Sequence, residues 1–344
     1  MARVVVTGAA AALGSRVAGR FLARPEVDSV VAIDLLACDV PGVEVRQLDL
    51  ATSDLGPAFA GADAVIHLAS VFGPAIEGPE IDDAVEVTMA RRVLDAAAAA
   101  DVARVVLLSS ATVYGPWANN PVPLTEDAPL RPHPDLAFAV QLAEIERLAA
   151  QASQRRPGAT VARLRPAPVV ADHELGWLAR TLDAASDVPT ADEVAAQFLH
   201  VDDLASAVVS TWAAGLDGPV NVAPEGWLTP TERRALDPVP RVRLPEPVAL
   251  KVAAWRWRFR LAPVPPGILA YVRHPWVVAS DRLVATGWKA TNSNEEAYVA
   301  GHEASAIESI SPQRRQELAL GLAGGVLAAG VAAGVAIARR RRRP

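Results

Sequence analysis

Two glycines and one aspartate near the N-terminus have the spacing of a phosphate-binding turn followed by a hydroxyl-binding carboxylate. Gly8 and Gly14 flank a run of small residues after a β-branched segment, and Asp34 comes 20 residues after Gly14. A tight turn of small residues directs the first N–H groups of a helix towards an anion such as a pyrophosphate. A carboxylate at the end of the next strand accepts hydrogen bonds from the ribose hydroxyls. The pattern therefore predicts a dinucleotide site.

Asp34 also predicts which dinucleotide is preferred. Its negative charge accepts both ribose hydroxyls of NAD and would repel the 2′-phosphate of NADP. The next residue is Leu35, so no adjacent arginine is present to bind that phosphate. We expect NAD to be the cofactor in preference to NADP.

The elements that position these residues are indicated by hydrophobic periodicity. Short, nearly all-apolar segments alternate with longer Ala-rich segments, which is typical of a parallel sheet covered by helices on both faces. The pattern predicts strands at 3–7, 29–34, 43–47, 64–67, 105–109 and 160–165, and helices at 13–23, 81–100 and 136–151. We expect an α/β fold with a Rossmann-like, doubly wound parallel sheet.

Together, several stretches resemble the extended short-chain dehydrogenase/reductase family, the NAD-dependent epimerases and dehydratases, whose glycine motif is TGxxGxxG. Beyond Thr7–Gly14, the matching stretches are Asp49–Leu50, His67–Ala69, Ser109–Gly115, Leu164–Pro166 and His200–Ala205. The resemblance covers about residues 1–300. It implies that Leu13, in the turn, belongs to the cofactor site, that Asp49 and Leu50 contact adenine, and that Ala69 lines the cofactor channel.

The chain departs from the family motif at the middle glycine, where it has Ala11. A β-carbon at this position takes up space near the pyrophosphate. We expect NAD to bind with a small shift and some loss of affinity.

The catalytic positions of the resembled family are largely replaced. Its members use a Tyr-x-x-x-Lys pair together with a Ser or Thr near the end of the fifth strand, and Ser110 matches that Ser or Thr. Phe138 stands at the tyrosine position and Leu142 at the lysine position. A phenyl ring cannot exchange a proton and an isobutyl group carries no charge. No Tyr-x-x-x-Lys occurs elsewhere among the three tyrosines and two lysines.

Histidines are the remaining candidates for proton transfer, because imidazole titrates near neutrality. His67, His133 and His200 are each weak candidates. His200 lies in what the resembled family uses as a structural turn, and His133 lies in a loop just before the altered helix. Asp202 and Asp203 are better interpreted as the start of a helix than as an acid pair. No metal-ligand cluster is apparent, so we expect no metal site.

Three functional hypotheses stay open at this point. The first is a catalytically impaired NAD-binding protein that acts as a sensor or a scaffold. The second is an active NAD-dependent oxidoreductase or epimerase, acting on a nucleotide sugar or a lipid-like substrate with a different proton donor. The third is a structural module that binds no nucleotide. The sequence does not identify the substrate or show whether the chain is an enzyme.

Charge and cysteine content exclude other classes and suggest a compartment. The net charge is −6, and removing the five positive charges of Arg339–Arg343 leaves −11, which argues against nucleic-acid binding. The one cysteine, Cys38, excludes an intrachain disulfide. We expect a body in the reducing cytoplasm and, as is common for this fold, pairing into a homodimer.

The C-terminal end has a different composition. Residues 318–338 form a stretch of 21 residues without a charge, followed by the arginine-rich residues 339–344. This length would span a bilayer as a helix, although an Ala- and Gly-rich stretch is marginally apolar. The alternative is an Ala-rich helix packed on protein. The predicted organisation is a dinucleotide-binding domain at 1–171, a small C-terminal lobe at 172–304, a linker at 305–317, the membrane-associated or transmembrane helix and a polybasic tail.

Overall fold

Apolar β-branched residues form the centre of a parallel sheet in the computed structural model. The structure describes residues 1–70, 85–186, 194–236 and 267–302, together with Lys251, Trp255 and Pro265. The seven strands of this sheet are β1 (Ala2–Thr7), β2 (Val27–Asp34), β3 (Glu44–Gln47), β4 (Ala64–His67), β5 (Arg104–Leu108), β6 (Thr160–Pro166) and β10 (Gly218–Val222). Their order is β10-β6-β5-β4-β1-β2-β3, and every neighbouring pair is parallel.

Helices cover both faces of the sheet. The described helices are α1 (Ala12–Leu22), α2 (Gly56–Phe59), α3 (Val85–Ala99), α4 (Ala137–Arg155), α5 (Trp177–Ser186), α6 (Val201–Ala213), α7 (Pro230–Leu236), α8 (Ile268–Tyr271), α9 (Asp281–Val284) and α10 (Asn294–Gly301). Val4 and Val6 of β1 belong to the apolar cluster that contains α1 and α6. Val5, which faces the opposite way, belongs to the cluster that contains α2, α3 and α4. Alternation along one strand therefore supplies two cores.

A second, smaller sheet lies after β6. Its strands are β7 (Val169–Ala171), β8 (Glu174–Leu175) and β9 (Leu199–His200). β7 is the central strand and pairs antiparallel with β8 and parallel with β9. Residues Met1–Gly301 form one compact unit.

The predicted fold class is confirmed for the described residues, since a parallel doubly wound sheet carries helices on both faces. The helix predicted at 81–100 is described from Val85 to Ala99, and residues 81–84 lie outside the described residues. The linker at 305–317, the helix at 318–338 and the tail at 339–344 also lie outside them. No helix of the described part of the chain is long and apolar enough to cross a membrane.

Close packing between α1 and the turn before it requires a glycine. A β-carbon on Gly14 would lie 2.0 Å from the carbonyl oxygen of Gly8, which is far inside van der Waals contact. Gly19, in the same helix, has nothing within 4 Å of the position that a β-carbon would occupy. The two glycines therefore differ in function: one permits a contact and the other only adds flexibility.

This difference predicts opposite effects of the same substitution. Gly14→Ala should lower the free energy of unfolding by about 1–3 kcal/mol, because the turn must move away from the helix. Gly19→Ala should raise it by about 0.5–1 kcal/mol, since alanine favours the helix and nothing obstructs its methyl group. Urea unfolding of the two variants and the parent chain measures both changes. Equal effects of the same sign would contradict the proposed packing role of Gly14.

Candidate functional site

The glycine-containing turn joins the carboxyl ends of three neighbouring strands. Gly8 has a φ of +74°, a conformation that favours glycine. Its N–H donates to the carbonyl oxygen of Ile33 on β2 at 2.9 Å. A β-carbon on Gly8 would lie 2.6 Å from the backbone nitrogen of Ala69, which follows β4. Gly8 and Ala69, both predicted site residues, are therefore brought together.

Asp34 is held against this turn at the end of β2. One carboxylate oxygen accepts the N–H of Ala10 at 3.0 Å, and the other accepts the N–H of Leu36 at 3.1 Å. Each oxygen keeps a lone pair after these bonds, so the carboxylate retains capacity for two further donors. The side chain is half-buried, and Leu35 beside it is exposed. This arrangement suits a pair of vicinal hydroxyls at the strand end.

The start of α1 supplies the donors for an anion. Ala11 is the N-cap, with φ −73° and no side-chain cap, and the first turn contains no acidic residue. The N–H groups of the first turn, which include those of Ala12 and Leu13, have no partner within the helix. Together with the helix dipole they favour a negatively charged group. The donors and the Asp34 carboxylate fit the diphosphate and ribose of a dinucleotide.

The remaining predicted cofactor residues lie around β3 and β4. The Asp49 carboxylate accepts the N–H of Ala51 at 2.8 Å and the hydroxyl of Thr52 at 2.9 Å, which closes a local turn. Leu50 is buried in the same apolar cluster as Ile33. The predicted contacts of Asp49 and Leu50 with adenine stay a prediction.

Ser110 has a structural role at the end of β5. It is the N-cap of the 3₁₀ helix Ala111–Tyr114, and its hydroxyl oxygen accepts the N–H of Thr112 at 3.2 Å. The side chain is buried. In this cap the hydroxyl group of Ser110 acts as a hydrogen-bond acceptor.

Phe138 and Leu142 lie one turn apart on α4 and are packed against other apolar groups. The ring of Phe138 is 5.0 Å from that of Trp177 on α5, with an interplanar angle of 55°. Leu142 is 4% exposed and belongs to a cluster with Ala90 of α3 and Val113 of the 3₁₀ helix. Both side chains are therefore parts of the apolar packing between helices.

A buried polar network lies beside this helix, and sequence reasoning assigned it no role. Glu146 of α4 accepts the hydroxyl of Ser109 at 2.6 Å and the Nε of Arg165 at 2.8 Å. Arg165 also donates to the hydroxyl of Tyr114 at 2.6 Å, and that hydroxyl donates to Asn221 at 2.7 Å. Burial raises the pKa of Tyr114 to about 12, so this phenol stays protonated. The network connects β5, β6, β10 and α4.

The sequence contains these residues in noticeable positions but does not show that they meet in space. Ser109, Tyr114 and Arg165 all fall in stretches that carry the family resemblance, and Glu146 follows the replaced relay on the same helix. Glu146 and Arg165 are 2% and 4% exposed at their side chains. Removing one partner of a buried charge pair strongly destabilises the folded protein, because the other charge is then buried without a partner. The hydroxyl of Tyr114 is held within this network by its bonds to Arg165 and Asn221.

The three candidate histidines each take part in local contacts. Nδ1 of His67 lies 2.7 Å from the hydroxyl of Thr7, and burial lowers the pKa of His67 to about 4. His133 stacks on Trp117. His200 caps α6 by accepting the N–H of Asp202, which agrees with the predicted helix start. These side chains stabilise turns and strand ends.

Stability should decrease as the pH falls towards 5 because of His67. The lowered pKa means that the unfolded state, with a histidine pKa near 6.5, binds the proton more readily. The stabilising contribution is complete above about pH 6.5 and is reduced by about 2 kcal/mol at pH 5. Urea unfolding at pH 7.5 and 5 should show a smaller decrease for His67→Gln than for the parent. The control His173→Asn, at an exposed position, should behave like the parent; an unchanged decrease in His67→Gln would contradict a neutral buried imidazole.

The fold and the site together define a dinucleotide-binding protein of the doubly wound α/β class. The chain belongs to the NAD-dependent epimerase/dehydratase family, whose sequence profile matches residues 4–223. Uncharacterized proteins of Mycobacterium bovis and Mycobacterium tuberculosis are 29% identical to it over 237 residues. The match covers 65% of this chain and 63% of those relatives.

Solved structures share the fold. The UDP-glucose 4-epimerase of Thermus thermophilus in complex with NAD has a TM-score of 0.66 at 22% identity, covering 87% of this chain and 97% of that one. The Bordetella bronchiseptica enzyme WbmG in complex with NAD has a TM-score of 0.61 at 20% identity, with coverage of 88% and 92%. The terminal R domain of the myxalamid PKS-NRPS pathway has a TM-score of 0.67 at 16% identity, with coverage of 88% and 89%.

Proposed function

We propose that the chain binds NAD at the carboxyl ends of β1, β2 and β4 and does not perform tyrosine-dependent redox chemistry. Such a protein would act as a nucleotide sensor or a scaffold. The observation that supports the proposal best is the apolar pair Phe138 and Leu142, each packed against apolar neighbours. When bound, the cofactor would supply a hydride acceptor, while Phe138 and Leu142 of this chain supply no acid–base pair.

The preference for NAD over NADP is part of the same proposal. Asp34 is aligned by two backbone N–H groups, and in this proposal its carboxylate accepts the ribose hydroxyls of the cofactor. A 2′-phosphate on that ribose would be repelled by the carboxylate unless a cation intervened. Leu35 and Leu36, which follow, supply none.

Binding and turnover can be measured on the same preparation. Saturating NAD⁺ should raise the melting temperature by at least about 3 °C, because it binds only the folded state, and NADP⁺ at the same concentration should raise it much less. With UDP-glucose or UDP-galactose present, no epimer should form.

The variant Phe138→Tyr with Leu142→Lys tests whether only the relay is missing. Positioned acid–base catalysis contributes about 10²–10⁴-fold, so a gain of epimer formation in this variant would support the proposal. Epimer formation by the parent chain would contradict it, and an absent response to NAD⁺ would favour a module that binds no nucleotide.

One observation favours the second candidate function, an active oxidoreductase with another proton donor. Glu86 on α3 is a buried carboxyl group, and Ala90, one turn later, belongs to the same cluster as Leu142. A buried carboxyl group can exchange a proton in place of a phenol. Turnover by the parent that is abolished in Glu86→Gln would establish this candidate.

We further propose that residues 318–338 hold a cytoplasmic body at a membrane. This proposal rests on the uncharged sequence and on the arginines that follow it. The full chain should sediment with membranes, whereas a chain ending at residue 304 should stay in the supernatant. Release by high salt would indicate a surface attachment, and release only by detergent a spanning helix. Recovery of both chains in the supernatant would contradict the proposal.

Pairing into a homodimer stays a prediction.

A further inference from the structure

The two halves of the candidate cofactor site differ in the groups they offer. At one end, Asp34 and the first turn of α1 are polar, and the N–H of Ala10 joins them by donating to Asp34 at 3.0 Å. The only side chain that departs from the family motif there is the methyl group of Ala11, which is exposed. This end can hold an adenosine ribose and a diphosphate.

The other end offers no charged donor from α4. In the resembled family, an ammonium at the position of Leu142 holds the second ribose and a phenol stands at the position of Phe138. Leu142 is 4% exposed and lies within an apolar cluster. The ring of Phe138 already packs on Trp177.

The polar side chains at the neighbouring strand ends carry no charge at neutral pH and take part in local bonds. Ser110 accepts the N–H of Thr112 at the start of the 3₁₀ helix. Thr7 and His67 pair with each other at 2.7 Å. These three side chains therefore do not supply the charged donor that a lysine would offer to a ribose.

We propose that this site recognises the ADP moiety of its ligand and gains almost no affinity from the nicotinamide riboside half. The inference rests on the proposed function. A hydrogen bond to a charged group is typically worth about 10- to 100-fold in affinity, and α4 supplies none. The ligand class is therefore adenine nucleotides with a diphosphate, and the oxidation state of a nicotinamide ring has little influence on binding.

Calorimetric titration of the full chain with NAD⁺, NADH, ADP-ribose and ADP tests this directly. We expect the four dissociation constants to agree within about fivefold, and AMP to bind more weakly because it lacks the second phosphate. NAD⁺ or NADH binding more than about tenfold tighter than ADP would overturn the inference while leaving the proposed function intact. Binding of none of the four would overturn the proposed function itself.

Two variants distinguish a specific role of positions 138 and 142 from a general effect of an added charge on α4. In Phe138→Tyr with Leu142→Lys, NAD⁺, NADH and ADP-ribose should become about tenfold tighter relative to ADP, because the variant restores the ammonium and the phenol that the resembled family has at these positions. The control Val140→Lys adds the same charge at an exposed position of the same helix and should leave the ratio unchanged. An equal change in both variants of the affinity for NAD⁺ relative to that for ADP would contradict the role proposed for positions 138 and 142. The ligand series on the parent chain decides the inference even where the double variant does not fold.

Discussion

A backbone contact that only glycine permits underlies the rest of the site. Gly8 brings the turn after β1 against the Leu68–Ala69 backbone after β4, and Gly14 lets α1 approach the same turn. The first N–H groups of α1 then point to the same edge of the sheet as the Asp34 carboxylate. Without these two close approaches, the start of α1 would not lie against the Asp34 carboxylate, which accepts the N–H of Ala10 at 3.0 Å.

Helix α4 carries both an apolar pair, Phe138 and Leu142, and one partner of a buried polar network. The buried network of Glu146, Arg165, Tyr114 and Asn221 still ties α4 to the strands. An apolar pair on the same helix makes the helix easier to pack, because neither a lysine nor a phenol then has to be desolvated. The proposed loss of tyrosine-dependent chemistry is therefore compatible with preservation of the fold on physical grounds.

The sequence predicted the sheet and the dinucleotide turn because both depend on local pattern. Apolar strands such as residues 29–34 and the spacing of Gly8 to Asp34 can be interpreted one segment at a time. The network around Glu146 could not be predicted in this way, since its members lie 19 to 107 residues apart from their partners and meet only in three dimensions. The capping role of Ser110 was missed for a related reason: its residue type fits both a catalytic and a capping role, and only the geometry shows the cap.

A crystal structure of the full chain with NAD⁺ would test the central claim most directly. It should show the diphosphate at the first turn of α1 and the adenosine ribose on Asp34. No amine or phenol should lie within hydrogen-bond distance of the second ribose, and none should lie beside the reactive ring carbon. A side chain that can donate a proton to a substrate oxygen beside that carbon would contradict the claim that the relay has been lost.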